Sequence, residues 1–215
     1  MRKYVLIFFI MLSLSGFTQS LTDLFLLMPE NRVKDLKPQD RKEMIKAYKN
    51  NLKDSLFGEN KCQLEDFDSK NGYLKITGAF SGEIEMCFWH LDKEQILIAT
   101  TRNSCGPVCA GSLYLFIFDK GVISEQPLWS YLPNRKEFEQ INFVKDEVKV
   151  SDIRKLYTEN FYMTFKLPRY GKNIRCIYEW REYFEDNYVR SVLKGDNLEL
   201  VLENGQFKIG NIYFE

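Results

Sequence analysis

Residues 95–119 read QILIATTRNSCGPVCAGSLYLFIFD, two apolar runs separated by a tight Cys-Gly-Pro-Val-Cys segment. Ile96, Leu97, Ile98 and Ala99 in one arm, and residues 113–118 in the other, are apolar at consecutive positions, so neither arm has a polar face to turn to water. Runs of this length and composition predict two central strands joined as a buried hairpin. Other elements must pack on each of its faces.

With 215 residues, 45% hydrophobic and 28% charged, the chain resembles an ordinary soluble globule able to bury a sizeable core. Lysine plus arginine equals aspartate plus glutamate at 30 each, so no overall field favours nucleic acid, and a nucleic-acid partner is not expected. The N-terminus departs from this balance. Arg2 and Lys3 precede an apolar run over residues 4–14, followed by Ser15, Gly16, Thr18, Gln19 and Ser20, which predicts a secretory signal peptide over residues 1–20. Small residues permit cleavage after Thr18, with Gly16 at the −3 place, or after Ser20, with Thr18 there. The run is too short to span a bilayer as a helix, and no later stretch is long enough, so stable membrane insertion of the mature chain is not expected. Phe17 stands where a lipoprotein would carry its lipidated cysteine, so the expected destination is the periplasm or the cell exterior without a lipid anchor. Cys62, Cys87, Cys105, Cys109 and Cys176 would then meet an oxidising compartment, and their odd number leaves at least one unpaired.

Residues 21–215 carry no linker or repeat and are expected to form one β-rich domain with N-terminal helices within about residues 22–57. Thr22 and Asp23 are candidate caps for a short apolar helix over residues 24–28 that Pro29 stops. Pro38 then opens an amphipathic helix whose stripe is Met44, Ile45, Tyr48 and Leu52. From Cys62 the apolar period becomes two. Leu74 and Ile76 alternate with Tyr73, Lys75 and Thr77, predicting a strand with one wet face. In the next strand Ile84, Met86, Phe88 and His90 fall on one side and Glu83, Glu85, Cys87 and Trp89 on the other. After Lys120-Gly121 the pattern weakens into a proline-bearing loop over 126–133 and a charged, helix-like piece over 134–140. Strand character resumes over 148–153, 161–167 and 174–180. Asn204-Gly205 predicts a type I′ turn that places Leu202 opposite Phe207 and Leu200 opposite Ile209. Gly195-Asp196 predicts a further turn back to a strand over 189–194.

Candidate chemistry is sparse. The Cys105-Gly106-Pro107-Val108-Cys109 loop invites comparison with a thioredoxin site, which spaces its cysteines by two residues and sets the first thiol at a helix N-terminus. Here three residues intervene and a strand pattern follows, so a structural disulfide across the tip is expected ahead of reduced or otherwise paired thiols, and both ahead of a redox-active pair. His90 is the only histidine, so no two-histidine metal site can be built; a base paired with Asp92 or Glu94 is one reading of it, and a histidine capping a hairpin at a strand end beside Trp89 is the expected one. Glu83 and Glu85 share a strand face and read as solvated carboxylates near a turn. The aromatics of residues 157–188 include Tyr183, Phe184 and Tyr188, set among charges and so candidates for an exposed surface that stacks on sugars or partner side chains. No cofactor or metal fingerprint is present.

The order of leader, Met28-Pro29, a helix bearing Arg41 and Tyr48, the Cys105-Gly106-Pro107 loop, Tyr131-Leu132-Pro133 and Ile177-Tyr178-Glu179-Trp180 resembles a family of secreted Bacteroidales-type proteins of unknown function. The resemblance implies export from a Gram-negative cell and brings no activity with it. Cys109 lies outside that pattern. The expected fold is α+β, mostly β, with N-terminal helices packed on a curved antiparallel sheet or sandwich of about ten strands. The expected role is a non-catalytic exported module that binds an unknown protein or glycan, with Gly106, Pro107 and Val108 presented at the hairpin tip. A thiol-disulfide protein using Cys105 and Cys109, and a glycan binder using Tyr183, Phe184 and Tyr188, are the alternatives.

Overall fold

The computed structural model describes residues 19–52, 54–78, 82–106, 109–133, 145, 162–179, 191 and 193–215. The stretch 95–119 forms β4 (Ile96–Cys105) and β5 (Cys109–Asp119), paired antiparallel from Ile96 opposite Phe118 to Cys105 opposite Cys109. With β1 (Gln63–Asp68), β2 (Tyr73–Thr77), β3 (Gly82–His90) and β6 (Val122–Gln126) they make a six-stranded antiparallel meander in sequence order. A second, four-stranded antiparallel sheet runs β10 (Gln206–Tyr213), β9 (Asn197–Glu203), β8 (Asn173–Glu179), β7 (Tyr162–Lys166). Ahead of both stand α1 (Leu21–Leu27) and α2 (Pro38–Lys49).

Side-chain alternation on β3, β4 and β5 divides the core in two. Ile84, Met86, Ile98 and Phe116 point to the helices and pack with Leu21, Leu24, Phe25, Met44 and Ile45. Cys87, Leu97, Ala99, Leu113 and Leu115 point the other way, against Phe165, Ile174, Cys176, Leu198 and Leu200 of the second sheet. The fold is therefore α+β and mostly β, and the doubly apolar arms are covered by helices on one face and by a sheet on the other. Tyr73 is 7% exposed beneath that second layer, so the wet face expected of β2 is a correction: the sandwich covers it.

Local chemistry sets the boundaries. Ser20, rather than Thr22 or Asp23, caps α1: its Oγ accepts from the Asp23 amide at 3.2 Å while the Asp23 carboxylate accepts from the Ser20 amide at 3.1 Å. Pro38 occupies the first turn of α2 as expected, but the helix stops at Lys49. Asn51 takes a left-handed φ of 59°, and Leu52 leaves the apolar stripe to stand 59% exposed. Between the helices lies Arg41, fully buried. Its Nη1 donates to the carbonyls of Phe25, Leu26 and Met28 at 2.7, 3.1 and 2.8 Å, and its Nε to that of Leu36 at 2.8 Å. The last carbonyls of a helix lack intrahelical donors, and here a guanidinium supplies them.

At the C-terminus, Asn204 and Gly205 have φ of 50° and 79°, and Leu202 faces Phe207 and Leu200 faces Ile209, as the turn dictates. Lys120 and Gly121, at 48° and 86°, join β5 to β6 in the same way, where the sequence pattern gave no strand. The neighbours of β9 are β10 and β8, with Ile174 opposite Leu200, which corrects the expected pairing with a strand over 189–194. The pieces expected over 134–140 and 148–153 lie outside the described residues.

Candidate functional site

The two sheets meet at the edge of β7, where the strand's outward amide and carbonyl groups have no neighbouring strand among the described residues. Side chains of the central sheet take that place. Asn103 of β4 donates from Nδ2 to the Phe165 carbonyl at 2.7 Å and accepts the Phe165 amide on Oδ1 at 3.1 Å. Two residues on, Oε2 of Glu85 accepts the Leu167 amide at 2.6 Å. Gly111, directly opposite Asn103 on β5, makes the approach possible: a Cβ there would meet the Thr164 Cα at 3.0 Å and the Met163 carbonyl oxygen at 3.1 Å, and would overlap Asn103.

An ion network continues from this junction. Glu83 binds the ammonium groups of Lys166 and, at 2.9 Å, Lys75, which also reaches Glu65 at 3.2 Å. Burial would raise the Glu83 carboxyl, but the two ammonium groups outweigh it and hold it at about 2. Glu85 is 4% exposed; burial pushes its carboxyl up, against the opposing pull of the Leu167 amide and of Lys166. The two carboxylates do share a face, as the alternation requires, but the expected solvation is corrected because β7 covers that face. Arg169 adds a second tie between layers, binding Asp66 at 2.6 Å and Asp68 at 2.9 Å on β1.

Two concavities flank the junction. Thr77, Gly78, Gly82, Glu83, Asn103, Cys105 and Lys166 line a recess of about 370 Å³. On the other side, a groove of about 410 Å³ is lined by residues 110–114, Leu128, Trp129, Tyr162, Met163 and Phe165. β6 pairs with β5 only along Leu115 to Asp119. In a two-residue hairpin Asp119, Ile117 and Leu115 aim their backbone groups at β6; by alternation Leu113 and Gly111 aim theirs at the same edge, and no strand among the described residues pairs with them. Trp129 and Tyr162 lie beside this stretch, 37% and 39% exposed. Next to the groove, the Arg32 guanidinium lies 4.0 Å over the Tyr114 ring and pairs with Glu125 at 2.8 Å.

The sulfurs of Cys105 and Cys109 are bonded at 2.08 Å, across the first pair of the β4–β5 ladder. β5 continues from Cys109 as a strand, so no helix N-terminus lies there to lower a thiol pKa in the thioredoxin manner. Gly106 is exposed at the tip; Pro107 and Val108 lie outside the described residues, as do Tyr183, Phe184 and Tyr188. Cys62, Cys87 and Cys176 are buried free thiols whose ionisation burial opposes. His90 ends β3 exposed, its ring edge-on to Phe88 at 5.6 Å, on the alternation face opposite the junction. The structure thus joins Cys105 to Cys109 and keeps His90 away from both. Sequence reasoning missed Asn103 and Gly111. Their signal was weak: Asn103 sits in a polar stretch with Thr100, Thr101, Arg102 and Ser104, and Gly111 sits beside Ser112, so neither stands out by pattern.

No helix among the described residues is long and apolar enough to cross a membrane. No curated protein matches the sequence. Among solved structures, a domain of an uncharacterized protein from Porphyromonas gingivalis W83, a Bacteroidales bacterium, superposes with a TM-score of 0.65 at 11% identity, covering 88% of this chain and 97% of that one. That likeness is one of fold. The family described as "Protein of unknown function (DUF3256)" matches residues 13–193, most of the chain, and the protein belongs to that family.

Proposed function

We propose that the protein is exported through its N-terminal leader and acts in the periplasm or outside the cell as a non-catalytic module, receiving an extended peptide segment of a partner on the open edge of β5. The observation that carries this reading is the half-covered strand: among the described residues β6 alone pairs with this edge of β5, leaving the backbone groups of Gly111 and Leu113 facing a groove, and an added strand is the complement such an edge accepts. Trp129, Tyr162 and Leu128 supply apolar surface for alternate side chains of the guest. The disulfide across Cys105 and Cys109 braces the end of that edge.

The test is titration of the isotope-labelled mature protein with a library of extended peptides, followed through the amide signals of Gly111 and Leu113. Shifts confined to that edge, weakened by Trp129→Ala, are expected. Binding that leaves both amides unmoved removes the edge from the reading. Glycan-array binding abolished by Trp129→Ala would assign the groove to sugar instead.

A further inference from the structure

We infer that the leader is removed between Thr18 and Gln19, so that the mature chain begins Gln19-Ser20-Leu21; this rests on the export reading above. Both bonds allowed by the small-residue rule are chemically acceptable to a leader peptidase, so the sequence leaves them tied. They differ in what they leave of α1. Ser20 is part of the folded body: its Oγ accepts the Asp23 amide at 3.2 Å, its carbonyl accepts the Leu24 amide at 3.1 Å, and its amide and hydroxyl donate to the Asp23 carboxylate at 3.1 and 2.6 Å.

Cleavage after Ser20 removes all four of these bonds. The amides of Asp23 and Leu24 lose their acceptors, and the new α-ammonium sits on the first turn, where the aligned peptide dipoles already place positive charge. It would also start the chain at Leu21, whose side chain is fully buried under the central sheet's helical layer. Cleavage after Thr18 keeps the capping box whole and sets the ammonium on Gln19, outside the helix. The consequence reaches past the terminus, because α1 is also the element whose carbonyls Arg41 holds.

The full-length chain is expressed in a Gram-negative host and the N-terminal peptide of the envelope-fraction protein is measured by mass spectrometry. The expected first residue is Gln19, either free or as the pyroglutamyl form, in which the α-amine has bonded to the side-chain amide carbon and ammonia has left. A mature chain that starts at Leu21, or at any residue other than Gln19, overturns the inference while export stands. An uncut chain that starts at Met1 and stays in the cytosol overturns the export reading itself. A second measurement compares melting of mature chains started at Gln19 and at Leu21. The shorter chain is expected to melt about 2–4 °C lower, the shift that loss of one helix cap produces in a domain of this size; equal melting would remove the physical basis.

Discussion

The two faces of the central sheet are covered by different chemistry. Toward the helices the contact is an apolar core, and Arg41, the fully buried charge there among the described residues, donates from Nε and Nη1 to backbone carbonyls of the covering layer. Toward the second sheet the apolar core gives way at one end to Asn103, Glu83, Glu85, Lys75 and Lys166. The difference follows from what each cover leaves unpaired. A helix leaves orphan groups only at its ends, so one guanidinium suffices; an edge strand leaves a row of them, so a row of polar side chains is required.

Removing Arg41 is the strongest test of the helical side. Arg41→Ala removes a donor from four carbonyls, three of them buried, and opens a cavity, and is expected to cost about 3–5 kcal/mol in chemical unfolding. Arg41→Lys keeps the charge but lacks the planar fork that reaches several carbonyls at once, and is expected to recover less than half of the loss. Full recovery by lysine would show that charge, rather than the hydrogen-bond fan, holds α1.

On the opposite face, Asn103→Leu fills similar space while orphaning the amide and carbonyl of Phe165, with an expected cost of about 2–3 kcal/mol. Gly111→Ala pushes a methyl against Thr164 and Met163 of the same strand, at about 1–3 kcal/mol. Because Asn103 and Gly111 oppose one another, the double variant is expected to cost less than the sum of the two, since β7 is already displaced in either single one. Strict additivity in urea unfolding would break the picture of a single junction.

The layers and the junction were unequally legible in the sequence. The central hairpin was readable because residues 96–99 and 113–118 are apolar on both faces, and the C-terminal register because Asn204-Gly205 permits only a narrow set of turns. β6 was missed because Val122, Ser124 and Glu125 of an edge strand are exposed and lack apolar alternation. The capping role of Ser20 was not legible because the same small polar residue also fits the end of a leader. Glu85 and Asn103 were opaque for a different reason. Their partners, Leu167 and Phe165, are backbone groups 82 and 62 residues away, and no local pattern encodes which side chain will replace an absent strand.

The smallest expected effect separates the two carboxylates of the junction by pH. Both have an ordinary value near 4.5 when unfolded. Glu83 is held at about 2 in the folded protein, so its stabilisation is present above 4.5 and is lost as pH falls toward 2. Glu85 is shifted the opposite way, so its contribution is fully present below 4.5 and is lost as pH rises through its raised folded value. Acidification from neutrality is therefore expected first to relieve the Glu85 penalty and then to dissolve the Glu83 pairing. Glu85→Gln, which retains an oxygen for the Leu167 amide, is expected to abolish the first, rising phase of a melting-temperature profile. Glu83→Gln is expected to make the acid descent shallower without removing it, because Asp68, lowered to about 2 by Asn71 and Arg169, titrates in the same window. A profile unchanged by Glu85→Gln would mean that water reaches this carboxylate and that the sheet-facing side is as permeable at its polar end as its helical counterpart is dry.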